Sequence, residues 1–180
     1  GFFTVVVSNV TGSVTSTPAL LDVRSALAYG NGGLLPGSNY TFIGSVDLQL
    51  WSVFPNANIF YTLDGLEPSF ESDYYAGPFN LNRTATLRVI TYTADFLQAA
   101  KAPPIYLTVI PSYELNLFSS GGGAVTANPP DGPYVSGMVV TLTAQPSNGW
   151  TFLEWRGDAS GANPTVAVTM QRVINVQAVF

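Results

Sequence analysis

Hydrophobic and polar residues alternate along most of this chain with a period of two, which is typical of half-buried β-strands. Val46, Leu48 and Leu50, for example, alternate with Asp47 and Gln49. Further alternating runs lie at 59–63, 85–93, 105–110, 138–144, 166–170 and 174–180. The best helical candidate, 95–102, is short and is followed by two prolines that cannot continue a helix. The sequence therefore predicts an all-β fold.

Residues 1–23 predict a hairpin whose two strands are joined by a turn at 9–12. A lone hairpin is marginal in water, so its apolar side chains need partner strands. Two sources are compatible with the sequence. Upstream strands of the same protein are one, and strands of another copy are the other. In the second case Phe2, Phe3, Val5 and Val7 are the predicted self-association residues.

The motifs GFFTV at 1–5 and SNVTGS at 8–13 resemble the last two strands of a bacterial immunoglobulin-like domain. Phe3 stands at the position of that family's corner tyrosine, so the hydrogen bond of the tyrosine hydroxyl is lost. Val5 stands at the position of its cysteine. The resemblance implies that 1–23 is the terminal hairpin of such a domain.

Residues 24–39 contain the glycine-rich runs YGNGG and PGSN. No strand–loop–helix context and no lysine accompany them, so a phosphate-binding loop is not indicated. The composition predicts a linker.

Three motifs in 40–111 carry a second resemblance. They are IFYTLDGLEP at 59–68, YAGPF at 75–79 and ATLRV at 85–89. The segment resembles the C-terminal domain of chitobiases and β-hexosaminidases. That resemblance implies an immunoglobulin-like β-sandwich that accompanies a catalytic barrel without carrying the catalytic acid.

Residues 112–180 contain four further motifs, GGGAVT at 121–126, YVSG at 134–137, VTLTA at 140–144 and GWTFLEWRGD at 149–158. With these motifs the segment resembles the divergent internalin B-repeat of bacterial surface proteins. The resemblance implies a compact β-rich module that acts as a spacer or adhesive unit. Trp155 is predicted to be buried.

The expected architecture is thus a series of small modules, with an immunoglobulin-like β-sandwich followed by a compact β-rich B-repeat module. Such a series is typical of secreted or cell-surface bacterial proteins. The predicted function is that of a non-catalytic structural or adhesive segment, which self-association of the N-terminal hairpin would assemble into a filament. A carbohydrate-binding accessory region of a secreted glycosidase is the alternative.

The low content of charged residues limits the classes of partner that this chain is expected to bind. Charged residues make up only 9% of the chain, and the net charge is −5. The six cations are scattered, so no basic stripe is present to neutralise phosphates or anionic lipid headgroups. We therefore expect no nucleic-acid binding, and no apolar run is long enough to predict membrane insertion. The expected partners are other copies, neighbouring modules or a polysaccharide.

The chain contains no cysteine and no histidine. Catalytic triads that need a histidine base and the usual zinc sites are therefore excluded. The acidic residues at 64, 67, 71 and 73 form the one local cluster, but they lack the ligand spacing of a calcium loop. No catalytic residue, metal or cofactor is predicted.

Exposed aromatic side chains are the remaining candidates for binding. Aromatics at alternating strand positions, such as Trp51, Tyr61 and Tyr92, are expected in the core. Tyr74 and Tyr75 are adjacent, so in a strand they face opposite ways and at least one lies near solvent. We predict a sugar-binding platform at Tyr74 and Tyr75, with ordinary amphipathic packing as the alternative.

Overall fold

The computed structural model describes residues 2–20 and 26–180, with side chains for 4–18 and 26–180. These residues form strands and loops, and they include no helix. The all-β prediction is confirmed. Their strands form a short N-terminal hairpin, a β-sandwich and a second β-rich unit. We call residues 26–110 the sandwich module and residues 112–180 the C-terminal module.

The hairpin consists of β1 (Phe2–Phe3), β2 (Val6–Asn9), β3 (Gly12–Thr15) and β4 (Ala19–Leu20). β1 pairs antiparallel with β4, and β2 pairs antiparallel with β3. The carboxamide oxygen of Asn9 closes the turn, because it accepts hydrogen bonds from the amides of Thr11 at 2.9 Å and Gly12 at 3.1 Å.

The sandwich module contains ten strands in two sheets. They are β5 (Ala26–Gly30), β6 (Gly33–Leu34), β7 (Asn39–Ile43), β8 (Val46–Ser52), β9 (Asn58–Thr62), β10 (Asp73–Tyr74), β11 (Phe79–Leu81), β12 (Ala85–Tyr92), β13 (Ala99–Lys101) and β14 (Ile105–Ile110). One sheet has the order β10-β9-β12-β14-β7, with β13 beside β12, and the other has the order β11-β8-β5-β6.

Alternation along the strands builds the core between these two sheets. In β8, Val46 and Leu48 are fully buried, whereas Asp47 between them faces solvent. Leu87 on β12 and Leu107 on β14 are 1% exposed and belong to the same core. Antiparallel pairing dominates, but β14 pairs with β7 in parallel. Two sheets that bury one shared core between their inner faces form a β-sandwich.

The predicted linker at 24–39 is wrong over its described part. Residues Ala26–Gly30 form β5, and both Ala26 and Ala28 lie in the core. The glycines and the asparagine have packing and turn roles. Asn31 and Gly32 take φ values of 49° and 79°, as a two-residue hairpin turn requires. At Gly30 a Cβ would lie 2.9 Å from the Phe42 ring, so the close packing there depends on glycine.

The C-terminal module contains eight strands. They are β15 (Ser112–Tyr113), β16 (Leu115–Ser120), β17 (Gly123–Asn128), β18 (Tyr134–Val135), β19 (Val139–Pro146), β20 (Glu154–Gly157), β21 (Thr165–Thr169) and β22 (Ile174–Val179). Two three-stranded sheets, β16-β22-β20 and β17-β19-β21, accompany a short pair of β15 and β18.

Trp155 lies in the core of this module and is 2% exposed, which confirms its predicted burial. Its ring centroid lies 5.1 Å from that of Phe152. The indole Nε1 donates a hydrogen bond of 2.8 Å to the carbonyl of Asn163. The buried indole therefore has both apolar neighbours and a partner for its polar atom, as a buried tryptophan requires.

Asp158 links two turns of the same module. Its carboxylate accepts hydrogen bonds from the Arg172 guanidinium at 2.7 Å and from the Asn175 amide at 2.8 Å. The arginine hydrogen bond is the main cause that lowers the pKa of Asp158, and the Asn175 amide lowers it further. Asp158 is thus an ionised turn residue with a structural partner on each oxygen.

Candidate functional site

The sheet of the sandwich module that contains β9, β10 and β12 presents aromatic side chains on its outer face. Because successive strand residues face opposite ways, Phe60, between Ile59 and Tyr61, lies on the outer face. Ile90, between Val89 and Thr91, lies on the same face but is itself buried. Tyr74 on β10 lies directly opposite Phe60 on β9. Phe60 in turn pairs with Ile90 on β12, and Tyr92 follows two positions along β12.

Two loop residues, Phe70 and Phe96, join these strand residues. We call Phe60, Phe70, Tyr74, Tyr92 and Phe96 the aromatic cluster. The Phe70 and Tyr92 rings stack with centroids 4.4 Å apart and planes 24° apart. Phe60 meets Phe70, Tyr74 and Tyr92 edge to face at 5.5–5.9 Å. These spacings and angles lie in the favourable range for aromatic pairs.

Much of the aromatic cluster is open to solvent. The exposed fraction is 57% for Phe70, 56% for Tyr74 and 47% for Phe96, and neighbouring Leu97 is 83% exposed. Singly exposed apolar residues are common, but a contiguous group is characteristic of an interaction site.

Hydrogen bonds within the two loops hold Phe70 and Phe96 in place. The Ser69 amide donates to the Ser72 hydroxyl at 2.9 Å, and the Ser72 amide donates to the Ser69 carbonyl at 3.1 Å. In the other loop the Phe96 amide donates to the Thr93 carbonyl at 2.9 Å. The Thr93 hydroxyl donates to Asp95 at 2.5 Å, and this hydrogen bond is the main cause that lowers the pKa of Asp95.

The loop that carries Phe70 also lines a polar groove of about 450 Å³, on the side of the sheet that Tyr61 and its register partner Asp73 face. Its lining is mainly hydroxyl and carboxylate groups, from Asp64, Ser69, Glu71, Ser72 and Asp73, with Arg83 on one side. Burial is the main cause that raises the pKa of Tyr61 at the groove wall, and the negative charge of Asp73 raises it further.

Glu67, which also lines the groove, brings together two cations that lie outside that lining. It forms ion pairs with Arg88 and with Lys101, the latter at 2.8 Å. The hydrogen bond from Lys101 is the main cause that lowers the pKa of Glu67, and the charge of Arg88 adds to it. The positive charge of this face is therefore partly compensated within the protein.

Comparison with known families assigns both units. Residues 35–100 match the family model of the chitobiase/beta-hexosaminidase C-terminal domain. Residues 113–180 match the divergent InlB B-repeat domain. No curated protein gives a significant match to the chain. Both matches agree with the modules that the sequence motifs indicated, whereas the immunoglobulin-like origin of 1–23 stays a prediction.

The two matched domains are accessory or repeat domains, not catalytic ones. They are typical of extracellular or cell-surface bacterial proteins. The match to the chitobiase/beta-hexosaminidase C-terminal domain spans the whole aromatic cluster and all the residues that line the groove. In the InlB B-repeat domain, the paired Phe152 and Trp155 are the core of the GWTFLEW motif.

The structure separates the two tyrosines of the predicted sugar platform. Tyr74 belongs to the exposed aromatic cluster. Tyr75 is partly buried against the sandwich core, where Phe79 is its edge-to-face neighbour at 6.5 Å. Adjacent strand residues do face opposite ways here, so the structure brings only Tyr74 to the candidate site. Sugar binding by either residue stays a prediction.

The expectation that alternating aromatics lie in the core holds for Tyr61 but is wrong for Tyr92 and Trp51. Tyr61 packs against the core and stacks on Phe79 at 4.9 Å. Tyr92 lies on the same outer face of the sheet as Phe60, and Trp51 is 50% exposed on the opposite sheet.

Sequence reasoning also missed Phe70 and Phe96. A signal for Phe60 existed, because it stands between the two inward residues of its strand.

The predicted self-association residues lie in the hairpin. Val5 is 66% exposed and Val7 is 70% exposed, so neither is covered by the described part of the chain. The side chains of Phe2 and Phe3 lie outside the described side chains. Val6 and Val14 are also more than half exposed, which leaves apolar groups of this hairpin facing solvent.

The described residues contain neither a metal site nor a membrane-spanning helix. Within 2–20 and 26–180, no group of three or more acidic, histidine or cysteine side chains is arranged to hold a metal ion. Across the same residues, no helix is long and apolar enough to span a bilayer.

Proposed function

We propose that this chain is a non-catalytic adhesive or structural segment of a secreted or cell-surface bacterial multi-domain protein. The observation that carries the proposal is the aromatic cluster, in which Phe70, Tyr74 and Phe96 are about half exposed on one face of the sandwich module. Matches to an accessory domain and a repeat domain support the same reading. A carbohydrate-associated role is the form of adhesion that the chitobiase-type match favours.

Adhesion predicts that the purified chain is retained on surfaces. We expect the chain to bind above background to at least one of three surfaces. One is coated with a neutral polysaccharide, one is coated with protein, and one is bare. Quantitative retention by surface plasmon resonance measures this. A non-adhesive protein of similar charge is the control. Background retention on all three surfaces would contradict an adhesive function.

A second candidate function is assembly through the hairpin. It is supported by the exposed valines Val5, Val7 and Val14, which give the hairpin unpartnered apolar surface. Addition of strands from another copy would cover these side chains and pair the free hairpin edges. Upstream strands of the same protein are the alternative partner. They would cover the same valines, and the hairpin would then have no apolar surface left for self-association.

Assembly predicts concentration-dependent growth of particle mass in light scattering, with ordered fibres in electron micrographs of the same sample. Replacing both Val5 and Val7 with threonine keeps the β-branched shape but adds hydroxyls, so assembly should fall. Val139→Thr is the matched control, because Val139 is 56% exposed on the C-terminal module. A monomer at all concentrations would rule out the filament.

A further inference from the structure

We propose that the aromatic cluster is a binding site for a neutral polysaccharide, with Phe70, Tyr74 and Phe96 stacking on pyranose rings. This inference rests on the adhesive function proposed above and assigns that function to one face of the sandwich module. None of the five rings lines the polar groove, so the proposed site is confined to the exposed rings themselves.

The size of the exposed surface favours a polysaccharide over a protein partner. Three half-exposed rings offer on the order of 300 Å² of aromatic surface. A stable protein interface needs about 800 Å² on each partner. A few sugar rings fit the smaller area, because a glycan chain can bind through two or three stacked units and leave the rest of the sheet uncovered.

The aromatic cluster offers groups that complement both the apolar and the polar surface of a sugar ring. A pyranose has an apolar C–H face and a rim of hydroxyls. The rings of Phe70 and Phe96 can cover the first, and the Tyr74 hydroxyl can bond to the second. That hydroxyl can both donate and accept a hydrogen bond. Binding sites of this kind combine aromatic walls with a few convergent polar groups.

Charge distinguishes neutral glycans from acidic ones. Arg88 and Lys101 both bind Glu67, so their charges are not offered freely to an anion. The groove lined by the loop of Phe70 contains four carboxylates, from Asp64, Glu67, Glu71 and Asp73, and one cation, Arg83, so its net charge is negative. A polyuronate or another polyanion would be repelled there, whereas a neutral chain pays no such penalty.

The loops that carry the rings are ordered before any ligand binds. The reciprocal hydrogen bonds between Ser69 and Ser72 span Phe70. In the other loop the Phe96 amide donates to the Thr93 carbonyl, and the Thr93 hydroxyl donates to Asp95. Contacts among the five rings fix their orientations further. Ligand binding therefore costs little ordering entropy, which is the benefit of a preorganised site.

The test is depletion of the 180-residue chain from solution by insoluble chitin and cellulose, with alginate gel as the acidic comparison. We expect retention on a neutral polymer, and a loss of about tenfold in Tyr74→Ala and Phe70→Ala, because each removes an exposed ring. Tyr74→Phe keeps the ring, so it should retain at least half of the binding.

Trp51→Ala is the matched control, because it removes a half-exposed aromatic from the opposite sheet and should leave retention unchanged. Circular dichroism checks that each variant folds. If Phe70→Ala does not fold, the test rests on Tyr74→Ala, which changes a two-residue edge strand. Retention that survives both alanine variants overturns the site. Retention only on alginate, or only on a protein-coated surface, overturns the ligand class but leaves adhesion standing.

Discussion

Replacing Trp155 with alanine should destabilise the C-terminal module by about 3–5 kcal/mol, the usual cost of deleting a large buried aromatic side chain. The indole is 2% exposed and touches Phe152, so its removal opens a cavity that neighbouring side chains can fill only in part. Domains of this size are stable by only about 5–15 kcal/mol, so the variant module should be close to unfolding at physiological temperature.

Hydrogen exchange of backbone amides is the measurement that localises this loss. Protection should fall at Val176, in the core of the C-terminal module, and stay unchanged at Val89, in the separate core of the sandwich module. Trp150→Ala is the control, because Trp150 is 52% exposed and its removal should cost about 1 kcal/mol. Equal loss of protection at Val89 would show that the two cores unfold as one unit.

Alternation made the strands predictable because each has one buried face. In β8 and β22 every second residue is buried, and the sequence pattern places them correctly. A hydrophobic period of two requires only local information, since a strand in a sandwich has a core on one side and solvent on the other. The burial of Trp155 was predicted through family resemblance, and the structure confirms it.

The linker error has a specific physical cause. Glycine and asparagine at 30–33 serve flexible linkers and tight turns equally well, and composition does not separate the two. Here Asn31 and Gly32 have the positive φ angles of a hairpin turn, and Gly30 lets the Phe42 ring approach the backbone. Distinguishing the cases requires knowing that Ala26 and Ala28 face a core, and alanine is too small to signal this on its own.

The aromatic cluster could be predicted only in part. The opposite orientations of Tyr74 and Tyr75 follow from strand geometry, and the structure has Tyr74 outside and Tyr75 against the core. Phe70 and Phe96 come from loops that are 26 positions apart in sequence, and no local pattern brings their rings within 5.6 Å. Long-range loop placement depends on hydrogen bonds such as those of Ser69 and Thr93, which sequence spacing does not reveal.

Gly157→Ala should also destabilise the C-terminal module, by about 3 kcal/mol, because two costs add at this position. Gly157 ends β20 with a φ of 90°, a backbone conformation that L-residues rarely adopt. A Cβ there would also lie 2.4 Å from the carbonyl oxygen of Asn175. That oxygen accepts the Asp158 amide at 2.8 Å, so it cannot withdraw without breaking the turn.

Gly149→Ala separates the two costs. Gly149 has a φ of 84°, yet a Cβ built on it meets no atom within 4 Å. Its substitution should therefore carry only the backbone strain, about 1 kcal/mol. Urea unfolding of both variants, followed by circular dichroism, gives the two free energies of unfolding. The difference between them measures the contact with Asn175. Equal losses would mean that β20 and β22 shift apart at little cost, so that the turn at Asp158 is softer than its hydrogen bonds indicate.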